Sequence, residues 1–272
     1  MRLGVHLPQF REAVPGVVLA AAARDAEEAG ADDVWVSDHL IVPAGSERPP
    51  EVFHDPLTVL TWAAAATRRV GLGTSVLVAP YRHPVVLARA LASLDALSGG
   101  RVVCGIASGW MEFEFRALGV PFGERGARTD ETIDVMRRLW SGAGDYTWRG
   151  ERTEGVALRP GPARPGGPPV WVGGNSDAGI RRAVRAGDGW HTTVAHEEGL
   201  AERVAALDAA LAAGGRDRAG FTLSVRVRAD AARVARIAPR MRELGVDHLL
   251  VDPPVFSPER FPDEVAALRA LV

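Results

Sequence analysis

Gly71-Leu72-Gly73-Thr74-Ser75-Val76-Leu77-Val78-Ala79-Pro80-Tyr81-Arg82-His83-Pro84 begins as a strand and ends as the start of a helix. Residues 70–78 are apolar and branched enough for a buried strand, yet two glycines interrupt them. Glycine inside a strand marks a close approach by a ligand or a second backbone. Ala79-Pro80 turns the chain, and Pro84 after His83 suits a first helical position. Thr74 and Ser75 would then stand at the C-terminal mouth of the strand, small enough to leave room for a flat ring.

Outward from this pair, the same strand-then-helix unit recurs. Residues 3–7, 33–36, 101–106, 169–172, 189–193, 221–227 and 248–251 read as further short apolar strands. Helical periodicity follows each, as at 15–29 with Gly30 closing it, at 56–68, and at 84–97 with Gly99-Gly100 as the stop. The fourth helix comes in two pieces, 112–118 and 129–140. Eight such units predict an α/β fold, a (β/α)8 TIM barrel with parallel strands and right-handed crossovers, occupying residues 1–272 as one domain. A doubly wound open sheet is the alternative, and the count of eight favours the barrel. The stretch 142–168 exceeds a plain loop. An insertion at about 143–168 is expected to form a hairpin before the fifth strand, with 146–148 pairing with 155–158 across 149–154.

Composition narrows the functional classes. The 272 residues are 47% apolar and 24% charged, with a net charge of −2. That balance gives a sizeable core and no basic field for nucleic acid. Every basic side chain besides histidine is arginine, which excludes lysine Schiff bases and lysine-bearing phosphate loops. The single Cys104, set in Val102-Val103-Cys104-Gly105-Ile106, reads as a buried thiol and fits a reducing cytoplasm. No leader pattern and no membrane-length apolar run is read, so the expectation is a cytoplasmic protein with no membrane partner.

In a barrel, chemistry gathers at the C-terminal strand ends. There lie Gln9, Ser37-Asp38-His39, Ser75-Val76, Ala107-Ser108-Gly109-Trp110, Gly173-Gly174-Asn175-Ser176, His191 and Arg226. The set is rich in small residues, as for a large planar ligand with a phosphate tail. Asp38-His39 is the acid/base candidate; the alternative is a loop-holding Asp38 beside a packed His39. Gly173 to Ser176 opens a helix and could receive a phosphate, or supply an ordinary N-cap. Gln9, Trp110, His191 and Arg226 are the expected substrate-facing group. His6, His39, His191 and His248 fall on four different strands without the paired spacing of a metal site, so no metal is expected.

Val34-Trp35-Val36-Ser37-Asp38-His39-Leu40, the 71–84 stretch, Leu94-Asp95-Ala96-Leu97-Ser98-Gly99-Gly100-Arg101, Ser108-Gly109-Trp110 with Glu114-Phe115-Arg116-Ala117-Leu118-Gly119, Trp171-Val172-Gly173-Gly174-Asn175-Ser176 and Ala186-Gly187-Asp188-Gly189-Trp190 follow in that order. Together they resemble the bacterial luciferase-like superfamily, and within it the deazaflavin-dependent oxidoreductases of actinobacterial type. The resemblance spans nearly the whole chain and itself implies the barrel. It further implies a bulge at Ser75-Val76, often with a non-proline cis peptide, pressing on one face of a tricyclic ring. Asp38-His39 would lie at the ring edge, while Ala107, Ser108, Gly109 and Gly173, Gly174, Asn175, Ser176 hold the tail and phosphate.

The implied reaction is hydride transfer between an organic small-molecule substrate and coenzyme F420, with His39 donating or accepting a proton. An FMN-dependent monooxygenase of alkanesulfonate type is the rival, with FMN as the alternative cofactor. A non-catalytic flavin-binding protein is the second rival, disfavoured by the intact Asp38-His39 pair. Trp110 stands where the sugar-phosphate dehydrogenase branch places a glutamate, and the lysines that branch uses are absent, which argues against glucose-6-phosphate as substrate. The family also implies a homodimer formed through barrel helices.

Overall fold

Alternation along the barrel strands sends branched aliphatics outward and reserves unusual residues for the inside. The fold, given by a computed structural model, describes residues 1–10, 14–193 and 199–272. Its strands are β1 (Arg2–His6), β2 (Asp33–Val36), β3 (Gly71–Thr74), β4 (Leu77–Val78), β5 (Val102–Ala107), β6 (Asp145–Trp148), β7 (Glu151–Glu154), β8 (Val170–Gly173), β9 (Gly189–Thr193), β10 (Thr222–Arg228) and β11 (His248–Asp252). Parallel pairing runs β3-β2-β1-β11-β10-β9-β8-β5, and β5 pairs back onto β3 to close the barrel. With β4 continuing β3, this makes the eight-stranded parallel barrel expected from the sequence.

Around it lie α1 (Gly16–Glu28), α2 (Pro56–Ala66), α3 (Pro84–Ser98), α4 (Glu112–Ala117), α5 (Arg125–Ser141), α6 (Asp177–Ala186), α7 (Leu200–Ala213), α8 (Ala231–Glu243) and α9 (Phe261–Leu271). Leu3, Val5, Val34, Leu72, Cys104, Val172, Leu223 and Leu249 join helix residues such as Leu19, Leu87 and Leu91 in one buried layer between barrel and helices. Inside the barrel, Trp35, Val103, Trp171 and Leu250 form a separate cluster, with Trp35 stacked on Trp171 at 5.3 Å. A common barrel interior is branched aliphatic; here two indoles take that place. Gly73 makes the room, since a Cβ there would sit 2.3 Å from Trp35.

Three boundaries differ from the sequence reading, each for a local reason. The continuous third strand is two pieces, because Ser75-Val76 leaves the ladder between β3 and β4. The hairpin's second arm is β7, not 155–158: Arg149 and Gly150, with φ of 52° and 80°, make a tight two-residue turn. Charged Glu151 to Glu154 gives no apolar alternation, yet the arm is exposed and ion-paired through Arg152 to Asp145 and Glu154. Finally, α5 starts at Arg125 rather than 129, and Thr129 Oγ1 donates back to the Arg125 carbonyl at 2.7 Å.

Candidate active site

The break in the third strand builds the floor of a cavity. Ser75 N still donates to Val36 O at 2.7 Å, but the Ser75-Val76 peptide is cis and Val76 turns half-exposed toward the strand ends. Two neighbours make this bulge possible by having no side chain. A Cβ on Gly105 would lie 1.8 Å from Thr74 O, and one on Gly173 would lie 3.1 Å from Val76. Arg226 Nη1 donates to Ser75 O at 2.9 Å, and Ser37 Oγ donates to the same carbonyl at 3.1 Å. The bulge is clamped from below and open above.

Above it lies a cavity of about 770 Å³, walled by the C-terminal strand ends and the N-termini of α5 and α6. It unites Asp38, His39, Ser75, Val76, Ala107, Ser108, Gly109, Trp110, Gly173, Gly174, Asn175, Ser176 and Arg226. Two expected residues are not among its walls. Gln9 is fully buried, its amide donating to the carbonyls of Ser37 and His54 and accepting from Ser37 N. It braces the β2 exit loop. His191 lies one rung beneath the floor, its Nε2 2.8 Å from Ser75 Oγ. A strand position one pleat too deep separates a lining residue from a supporting one.

His39 does not pair with its sequence neighbour Asp38. Asp38 is wholly engaged: Oδ2 accepts from Val78 N at 2.9 Å, and both oxygens accept from Arg82 at 2.5 and 3.0 Å. Arg82 also reaches Asp55, the N-cap of α2, so Asp38 holds the loops together as in the structural alternative. His39 instead pairs with Glu114, with Nδ1 2.8 Å from Oε2. Glu114 also accepts from Leu40 N at 2.7 Å and from the Tyr81 hydroxyl at 2.8 Å. Burial alone would raise the Glu114 carboxyl, but these donors hold it below its ordinary value. Burial and the same hydrogen bond push the Tyr81 hydroxyl up, so it stays a donor.

An ionised Glu114 accepts a hydrogen bond from the His39 Nδ1–H, which leaves Nε2 as the ring nitrogen able to accept or give a proton. Phe53 and Trp110 lie against the ring, at 5.1 and 6.0 Å between centroids. Trp110 is 65% exposed at the rim, so it walls the mouth rather than filling the core.

The far end of the cavity is cationic. Ser176 caps α6 by accepting from Gly179 N at 3.2 Å, and Gly174 takes a φ of 126°. Asn175 turns aside: its amide donates to Thr193 O at 2.7 Å and accepts from Thr192 Oγ1. Arg125 and Arg182, not foreseen from the sequence, line this end. Arg182 is paired with Asp130; Arg125 lies over the Phe122 ring and makes no ion pair among the described residues. A helix N-terminus flanked by guanidiniums favours negative charge.

Among the described residues no group of three or more His, Cys, Asp or Glu is placed to hold a metal, and no helix is long and apolar enough to cross a membrane. His6 is a satisfied interior histidine, its Nε2 2.9 Å from Ser37 Oγ. A second groove of about 720 Å³ lies on the outside between α6 and α7, away from these groups.

Residues 6–244 match the family described as luciferase-like monooxygenase. An uncharacterized protein of Mycobacterium tuberculosis is 32% identical over 267 residues, covering 93% of this chain and 91% of that protein. The F420-dependent glucose-6-phosphate dehydrogenase of Amycolatopsis mediterranei is 38% identical over 175 residues, 62% of this chain and 50% of that enzyme. Among solved structures, an F420-dependent secondary alcohol dehydrogenase in complex with an F420-acetone adduct superposes with a TM-score of 0.85, at 18% identity, over 100% of this chain and 98% of that one. The last likeness is one of fold.

Proposed function

The chain belongs to the luciferase-like monooxygenase family and is an oxidoreductase, and we propose that it moves a hydride between a small organic substrate and coenzyme F420 held on the Ser75-Val76 bulge. The observation that carries this reading is the bulge itself. An apolar Val76 and bare backbone face a cavity that has a proton-handling histidine at one end and a cationic helix terminus at the other.

The residues fit such a cofactor. Clearances at Gly105 and Gly173 let the bulge stand up as a platform for one face of a planar ring. Gly174, the Ser176-capped end of α6, Arg125 and Arg182 suit a phosphate. Ala107, Ser108 and Gly109 leave space along the tail. When bound, the deazaflavin would supply a hydride acceptor or donor. His39 then holds or takes the proton at Nε2, and Glu114 keeps that nitrogen aimed inward. Trp110 shields the mouth from water. F420 is preferred to FMN because a 38% identical relative is an F420-dependent enzyme. Without lysine, and with Trp110 at the mouth, a sugar phosphate is not the substrate proposed.

We place the enzyme in the cytoplasm as a homodimer. The exposed Val17, Trp62 and Val86 on α1, α2 and α3 support a partner copy on that side, which sedimentation of the purified protein tests.

The deciding experiment titrates purified protein with oxidised F420 and, separately, with FMN. Tight binding of F420 is expected; tight binding of FMN alone, with oxygen consumed in the presence of reduced FMN, would establish the monooxygenase reading instead. Cofactor binding without turnover on any substrate panel would leave a carrier protein.

A further inference from the structure

Beneath the cavity, five buried groups form an unbroken line of hydrogen bonds down the barrel. Ser75 Oγ lies 2.8 Å from His191 Nε2, and His191 Nδ1 lies 2.8 Å from Ser224 Oγ. Ser224 Oγ lies 2.7 Å from His248 Nδ1, and His248 Nε2 lies 2.7 Å from Asp33 Oδ1. Apart from Ser75, which opens on the cavity, every member is at most 2% exposed. Trp35 lies parallel to His191 at 5.5 Å and tilted against His248 at 5.1 Å, sheathing both imidazoles from water.

The donors along this line cannot be chosen independently. Burial alone would raise the Asp33 carboxyl, but His248, Arg2 and Trp35 hold it below its ordinary range. Asp33 is therefore an acceptor, and His248 Nε2 carries a hydrogen. Burial, His248 and Arg226 keep His191 neutral, with a single ring hydrogen. Two arrangements satisfy every atom. With neutral His248, Ser75 donates to His191 Nε2, His191 Nδ1 donates to Ser224, and Ser224 donates to His248 Nδ1. With protonated His248, all three bonds reverse, and the Ser75 hydroxyl hydrogen is turned toward the cavity.

We propose that Ser75, His191, Ser224 and His248 are a proton relay that moves a proton between the cavity floor and the buried His248–Asp33 pair. A proton given up by an acid in the cavity forms a new O–H bond at Ser75. The former Ser75 hydrogen passes to His191 Nε2, the His191 Nδ1 hydrogen to Ser224 and the Ser224 hydrogen to His248 Nδ1. No electrons are exchanged, and the charge ends as an imidazolium beside the Asp33 carboxylate. Arg2 faces the lower end; Arg226 with Asp252, and His6 through Ser37, face the upper end. The use of the relay rests on the oxidoreductase reading: the bulge can donate to, or accept from, a bound ring as the ring's electron count changes. His191, Ser224 and His248 are thus positioning residues that act through Ser75.

Nitrogen-15 NMR of the unliganded, histidine-labelled protein from about pH 5 to pH 8 tests the relay. The two neutral tautomers of His191 give different ring-nitrogen shifts. The His191 pattern is expected to invert between the form in which His248 Nδ1 accepts from Ser224 and the form in which it donates to Ser224. In Ser224→Ala, and in Ser224→Gly, neither of which can pass a hydrogen, His191 should hold one tautomer whichever form His248 takes. A His191 pattern fixed across the wild-type titration, or one that follows His248 unchanged through both variants, overturns the relay. If neither variant folds, the wild-type titration alone decides. Failure of F420 to bind would sink the cofactor reading and leave this measurement standing.

Discussion

His39 Nδ1 lies 2.8 Å from Glu114 Oε2, so the exit loop of β2 and the short α4 share one hydrogen between them. The two residues are 75 positions apart in the chain. The pairing fixes which imidazole nitrogen faces the cavity, a job that the adjacent Asp38 is too fully bonded to do.

Removing the histidine should therefore cost turnover more than binding. His39→Ala is expected to lower kcat by about 10² to 10⁴ while cofactor affinity changes little. Steady-state kinetics beside an F420 titration checks this; equal losses in both would make His39 a packing residue.

Glu114→Gln keeps the shape and removes the charge. A hydrogen bond to a charged group is worth about 1.5–3 kcal/mol, so a loss of roughly tenfold to a hundredfold in kcat is expected. An unchanged kcat would show that His39 needs no anionic partner.

The same carboxyl sets a stability signature. Its folded value lies below the ordinary 4.5, so the unfolded chain takes up the proton first as pH falls. The contribution is complete above 4.5 and is lost as pH drops through the depressed folded value. Urea midpoints of the wild type should fall more steeply between roughly pH 5 and pH 3 than those of Glu114→Gln. Parallel slopes would contradict this.

Gly105→Ala tests the platform. The new methyl would meet Thr74 O at 1.8 Å, so the bulge must move. About 3 kcal/mol of stability should be lost, and cofactor binding with it. Gly161→Ala is the control, because its nearest neighbour stands at an ordinary 3.8 Å. Thermal unfolding and F420 titration of both variants read the outcome.

Arg82→Met leaves the buried Asp38 carboxylate without its two-pronged partner. A loss of about 3–5 kcal/mol in urea unfolding is expected. Arg82→Lys should recover only part of it, since an ammonium cannot match both oxygens. Full recovery by lysine would show that charge alone matters there.

Much of this was legible because it is local. Alternating apolar strands and capped helices declared the barrel, whereas residues 70–78 read as one strand and only the family resemblance implied a bulge at Ser75-Val76. Glu114 was not read, since its role comes from a contact across the fold. Its one signal is a carboxylate between Phe113 and Phe115, an odd neighbour for a surface charge. Asp38 and His39 are adjacent in the loop that follows β2, but their side chains meet groups from different elements. One meets Arg82 and the other Glu114. Sequence fixes a strand end only to within a residue, and one pleat decides between lining and support: His191 and Gln9 brace the site rather than line it. The polar positions His191, Ser224 and His248, recurring in apolar strands, were visible singly; only the register of β9, β10 and β11 joins them.

Val78 N, in β4, finds its partner in Asp38 Oδ2 rather than in a neighbouring strand on that side. A carboxylate thus stands in for one rung of peptide at that seam. An amide ladder carries no net charge, whereas this stitch is a carboxylate held on its other side by the Arg82 guanidinium. The barrel wall itself is therefore ionic at one point, directly beside the surface on which its guest would rest.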